Sequence, residues 1–253
     1  MKRRLSIFFL YLMLTTGAGA QTSDRDLVLQ AEQQEAQLNE AGAFETLKVA
    51  LRANPSNYQA LWKASELCSR IGKRQSAKAH QQEFYRLGRA YAQRAVIVNP
   101  NGADGYYALA VATGRIAMGQ SGKEKVNSVK EIRTLTEKAL ALNPGHARAW
   151  HVLGKWNYEV DNLGMFEKAA LRIVYGGLPS ASVSESIRCY ERARALEPEF
   201  ALNFLELAKA YHKNGQQDRA IDCLRRLPAL PNRTGDDAHI KAEGARLLKQ
   251  WSD

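Results

Sequence analysis

The chain has 253 residues, 45% of them hydrophobic, and a formal net charge of +10. That length and apolar content suffice to bury a sizeable core, as one domain or as a stacked array. Helix formers dominate and no run alternates with period two over strand length, which argues against β structure.

The first twenty residues form a class of their own. Lys2, Arg3 and Arg4 precede an apolar run at residues 5–14, and Ala18-Gly19-Ala20 precede Gln21. A charged start, a short apolar run and a small-x-small site read as a secretory signal peptide at residues 1–20. The run is too short to span a bilayer. Its removal would take three positive charges from the total and leave an exported, periplasmic or secreted domain at residues 21–253. A basic balance suits acidic peptides, lipid head groups or nucleic acid without selecting among them, and equally suits a plain soluble surface. The three cysteines, Cys68, Cys189 and Cys223, leave at least one free thiol. Cys189 and Cys223 fall on helices expected roughly 8–10 Å apart, beyond the usual disulfide reach of about 7 Å. All three are expected to pack as small apolar residues.

Thr22-Ser23-Asp24 offers N-cap chemistry for a first helix to about Leu38, with a turn at residues 39–42 and a short second helix after it. Leu61, Ala64, Ser65 and Cys68 then share one helical face. A long helix to about Val98 should bury Phe84, Leu87, Gly88, Tyr91, Ala92 and Ala95. Tyr106, Leu109, Ala110 and Thr113 repeat the spacing of the earlier face, and a polar loop at residues 119–125 leads to a helix ending at Leu142. Trp150, Leu153, Gly154 and Trp156 open a fourth unit as core residues. An insertion of about twenty residues follows, where Leu163, Phe166, Ala170, Ile173 and Val174 form an amphipathic stripe that Gly176 and Gly177 end. That stripe either packs across the groove or against unit three, or rests on a membrane. Ser182 or Ser184 can cap the next helix. Phe204, Leu207, Ala208, Tyr211, Gly215, Ala220 and Leu224 make a fifth unit, and Ile240, Gly244, Leu247, Leu248 and Trp251 a final capping helix.

One punctuation recurs four times: Ala50 before Asn54-Pro55, Ala95 before Asn99-Pro100, Ala139 before Asn143-Pro144, and Ala193 before Glu197-Pro198. Together with the small and large apolar residues at fixed offsets, this resembles the tetratricopeptide repeat. The expected fold is an all-α, tetratricopeptide-like α-solenoid of about five helix pairs, with one inserted helix and a C-terminal capping helix. The prolines stand 45, 44 and 54 residues apart, longer than the usual period of about 34. The order of a long second helix, Trp150-His151-x-Leu153-Gly154-x-Trp156-x-Tyr158, the insertion, and Leu178-Pro179-x-Ala181-Ser182 resembles the regulator of microtubule dynamics family over about residues 45–251. The resemblance implies a repeat protein linked to microtubules, mitochondria and organelle contact sites, with phospholipid binding and transfer in at least one member.

The chain lacks common enzyme signatures. Gly119-Gln120-Ser121-Gly122-Lys123 departs from a phosphate loop, with Ala117 and Glu124 at required positions, and reads as a turn. The five histidines form no metal-type pair at helical spacing. No catalytic residue, cofactor, metal or nucleic-acid ligand is expected. Tetratricopeptide arrays present the second, fifth, ninth, twelfth and thirteenth residues of each first helix to the concave side. Counted from the third residue after each proline, these positions give Trp62, Arg70, Tyr107, Arg115, Arg148, His151, Lys155, Tyr158, Lys209, His212 and Lys213. An aromatic row flanked by cations suits a protein or acidic peptide partner, or an anionic lipid. The same side chains would also serve as neighbouring-helix packing and a solvated basic face.

Overall fold

A computed structural model describes residues 23–252, so the signal-peptide reading of residues 1–20 lies outside the described residues. The described residues form twelve α-helices and no strand. Five antiparallel pairs follow one another: α1 (Asp24–Ala36) with α2 (Glu40–Ala53), α3 (Tyr58–Lys73) with α4 (Lys78–Val98), α5 (Ala103–Ala117) with α6 (Gly122–Leu142), α7 (Ala147–Asn162) with α9 (Val183–Leu196), and α10 (Ala201–Lys213) with α11 (Gln217–Arg226). The insertion is α8 (Met165–Tyr175), and α12 (Asp237–Ser252) closes the array. From α3 onward the first helices touch one another in series, α3 to α5, α7, α10 and α12, while the second helices pack against first helices. The first helices therefore line the inner, concave side of a curved stack.

The recurring punctuation has a physical cause. The amide of the residue before each proline donates to the carbonyl of the alanine four residues earlier: Asn54 to Ala50 at 2.8 Å, Asn99 to Ala95 at 2.9 Å, Asn143 to Ala139 at 2.9 Å and Glu197 to Ala193 at 2.8 Å. All four alanines are fully buried, where a larger side chain would separate the helices. In the three asparagine turns the side-chain oxygen also accepts the amide two residues on, from Ser56, Asn101 and Gly145. Proline has no N–H to continue the helix. The next first helix accordingly starts three residues later every time, at Tyr58, Ala103, Ala147 and Ala201.

Several expectations are corrected in detail. Asn39 is the N-cap of α2, accepting from the Gly42 amide, so the first turn ends there and α2 is a full 14 residues long. Leu87 is 37% exposed and Tyr85, at 2%, takes its place in the α4 stripe. The difference is a small rotation of a long helix that meets both α3 and α5. Ser182 caps α9 through the Glu185 amide. Trp156 is buried as expected, but its indole donates to the Val129 carbonyl and so fastens α6 rather than the insertion. The insertion stripe packs across neither the groove nor unit three, since no residue of α8 is buried. The three cysteines are free and buried, each in a different part of the core.

Candidate functional site: the concave face

On the concave face the predicted cations come together with carboxylates that answer them. Arg148 lies on α7 and Glu66 on α3, 82 positions earlier, yet their side chains meet at 3.2 Å. They meet across α5, which lies between α3 and α7 in the stack. The Tyr107 hydroxyl of α5 donates to the same Glu66 oxygen at 2.9 Å, and the other side of Arg148 reaches Glu197 at 3.4 Å. Burial by itself would raise the Glu66 carboxyl, but the Arg148 and Arg70 guanidiniums and the Tyr107 hydroxyl outweigh it and hold it below the ordinary carboxylate value. Arg70 pairs with Glu35 and, at 3.4 Å, with buried Glu40.

A second group sits further along the stack. Buried Glu206 of α10 takes Lys155 at 2.7 Å and Lys209 at 3.0 Å. Lys155 also reaches Glu159, and Lys209 reaches Glu243 of α12 at 2.8 Å. Burial opposes ionisation of Glu206, and the two ammonium groups overcome it and lower its pKa. Lys213 contacts Asp161 at 2.6 Å and lies over the Tyr158 ring, which Lys155 also approaches. Trp62 is half-buried beneath Lys63.

Three predicted groove residues turn out to serve the packing. His151 is buried between Tyr190 and Phe200, with Nδ1 3.1 Å from the Asn203 side-chain oxygen. The Asn203 amide donates to the Tyr190 carbonyl, so its oxygen accepts and His151 carries its proton on Nδ1. Burial pushes the His151 pKa down to about 4. Tyr107 is buried, its ring against His146. His212 stacks flat on Trp251, 3.9 Å between centroids, and joins α10 to the capping helix. Arg115 differs from every other predicted cation. It is half-buried with its Nε unpaired, and it has no carboxylate within 4.0 Å among the described residues.

Sequence reasoning missed the carboxylates. Glu66 stands at a groove position and Glu206 three residues before Lys209, so both were in view, but their partners lie on other helices. It also missed a cleft of about 530 Å³ between α6, α7 and α9, lined by Arg133, Leu140, Trp150, Leu153 and Arg188. Among the described residues no cluster of His, Cys, Asp and Glu has the arrangement to hold a metal ion.

A family model described as "Regulator of microtubule dynamics protein 1-3" matches residues 27–252. The chain belongs to the regulator of microtubule dynamics family. It is 28% identical over 164 residues to regulator of microtubule dynamics protein 1 of Bos taurus, covering 64% of this chain and 52% of that one. Protein 3 of Xenopus laevis is 29% identical over 174 residues, covering 68% of this chain and 37% of that protein. Protein 1 of Caenorhabditis elegans is 23% identical over 190 residues, covering 75% and 84%. The match thus spans about half the length of the Bos taurus relative and less of the Xenopus laevis one. Among solved structures, a thermophilic tetratricopeptide-repeat protein from Thermus thermophilus superposes with a TM-score of 0.65 at 16% identity, covering 90% of this chain and all of that one. PilW, a type IV pilus biogenesis factor, gives 0.51 at 16% identity, covering 90% of each chain. At that identity the likeness is one of fold, and it makes this family member a tetratricopeptide-like solenoid.

Proposed function

We propose that this protein is a non-enzymatic scaffold that binds an acidic segment of a protein partner along its concave face. Arg115 carries the reading. In a face where Arg70, Arg148, Lys155, Lys209 and Lys213 are each answered by an internal carboxylate, it keeps an unanswered charge on the same side of the stack as the partly exposed Trp62 and Tyr158. A carboxylate of a partner would complete it with a charge-assisted pair. A pull-down from the native host compares wild type with Arg115→Glu. Loss of the acidic partner from the variant is the expected result, and an unchanged partner set would move the site elsewhere. Reversing Lys155 or Lys209 would be a poor probe, because both hold Glu206 in place.

A lipid is the second reading, favoured by the apolar wall of Leu140, Trp150 and Leu153 in the cleft, whose rim arginines Arg133 and Arg188 are already paired with Glu137 and Glu185. Native mass spectrometry of gently purified protein decides it, since ligand-free spectra from several preparations would remove it. Residues 1–20 are carried forward as a signal peptide for an exported domain. Amino-terminal sequencing should find the mature chain beginning near Gln21, and persistence of Met1 would end that reading and reopen the microtubule association that the relatives' names suggest.

A further inference from the structure

Ion pairs between the first helices join end to end. Glu66 of α3 meets Arg148 of α7, and Lys155 of the same α7 meets Glu206 of α10. Lys209 of α10 then meets Glu243 of α12, and Asp236, just before α12, returns to Arg74 at the end of α3. The links form a closed circuit from α3 through α7, α10 and α12 back to α3. Each link runs from one helix to another, so straightening the stack would stretch all of them together. Only α5 is passed over: its Tyr107 gives Glu66 a hydroxyl but adds no charged group to the circuit. That same helix carries Arg115, which has no carboxylate within 4.0 Å among the described residues.

An acidic segment reaching this face finds Arg148, Lys155 and Lys209 already holding carboxylates. Glu66, Glu206 and Glu243 occupy the places that its own carboxylates would take. Two anions compete for each cation, so the internal carboxylate leaves as the partner's arrives. When Glu66 leaves Arg148, or Glu243 leaves Lys209, a link between helices breaks and the curvature relaxes. A ligand shifts a two-state equilibrium only by its preference for one state, and an acidic segment prefers the state in which these cations are free. Arg115 is free in the closed state as well, so it can be engaged before any link breaks.

We propose that the concave face is held shut by its own carboxylates and opens as an acidic segment replaces them, with Arg115 making the first contact. This rests on the reading of the concave face as a site for acidic protein segments. In the full chain Asp236→Asn/Glu243→Gln cuts the circuit while keeping side-chain size and leaving Glu66 and Glu206 in place. Glu83→Gln/Glu124→Gln makes the same change of charge at exposed positions of α4 and α6, outside the circuit. Binding of a fluorescent decaglutamate is followed by anisotropy, and small-angle scattering compares each protein free and bound. The cut variant should bind about tenfold more tightly than wild type or the charge control. Decaglutamate should enlarge the wild-type radius of gyration, and adding Arg115→Glu should abolish the gain in affinity. Equal affinity of the cut variant and the control would overturn the proposal and leave the acidic-segment reading standing, as would binding at an unchanged radius of gyration. If no form binds decaglutamate, the acidic-segment reading falls and takes the proposal with it. A gain that survives Arg115→Glu would overturn Arg115 as the first contact.

Discussion

His151 shows how a residue that looks like a ligand contact becomes a pH-sensitive part of the core. Its ring is fixed by Asn203 and stacked among Tyr190 and Phe200, and burial holds its pKa near 4, against about 6.5 in an unfolded chain. The folded form therefore resists a proton that the unfolded chain accepts. Stability from this group is complete above the unfolded value and is lost as pH falls from about 6.5 to about 4, by on the order of 3 kcal/mol. Glu66 and Glu206, whose pKa values are lowered in the fold, add their losses below the ordinary carboxylate range. Thermal melts should show the midpoint falling through that upper window. His151→Gln, which keeps a donor for Asn203, should flatten the fall between pH 6.5 and 4 while leaving the carboxylate-driven loss below it. An unchanged slope would mean that another group titrates there.

At the scale of the helix, close approach decides which substitutions the stack accepts. Gly154 of α7 faces the fully buried Tyr190 of α9, and an added Cβ would stand 2.8 Å from its ring. Ala is the better helix former by about 1 kcal/mol, but overpacking against a ring with nowhere to go costs roughly 1–3 kcal/mol. Gly154→Ala should lower the melting midpoint by a few degrees. Gly114 of α5 has only Ile132 at 3.7 Å, an ordinary contact. Gly114→Ala should raise stability by about 0.5–1 kcal/mol, and denaturant melts of the two variants should move in opposite directions.

The same distinction sets what the sequence discloses. The starts of α3, α5, α7 and α10 were legible because the Ala-to-Asn-Pro turn is made entirely from neighbouring residues. The pairing of Arg148 with Glu66 was not, because it depends on how tightly α3, α5 and α7 curve around one another. Nor was the orientation of α8, since an amphipathic stripe defines a face without saying what covers it. Position counting assigned Trp62, Arg115 and Tyr158 to the concave side, and all three are partly exposed. It misplaced His151 and Tyr107, where the curvature buries what an open array would present.

For the whole molecule, that curvature brings the two ends together. Asp236, just before α12, pairs with Arg74 at 3.1 Å and Lys73 at 3.4 Å, both from the end of α3. The Gly235 amide donates to buried Glu40 of α2 at 3.2 Å, and Glu40 is also held by Arg70 and Arg74. The stack thus closes through a small polar clasp rather than an apolar seam, which leaves it responsive to charge. The two Asp236 pairs are the exposed part of the clasp and contribute about 0–1 kcal/mol each, so Asp236 sets the shape of the solenoid more than its stability. Asp236→Lys replaces two attractions with two repulsions beside the Glu40 contact. Small-angle scattering should show a larger radius of gyration for the variant, with a melting midpoint lowered by no more than a few degrees. Wild type should shift in the same direction at high salt, because ions screen Arg74 and Lys73 from Asp236. If both profiles stay unchanged, the packing of α10, α11 and α12 fixes the curvature without the clasp.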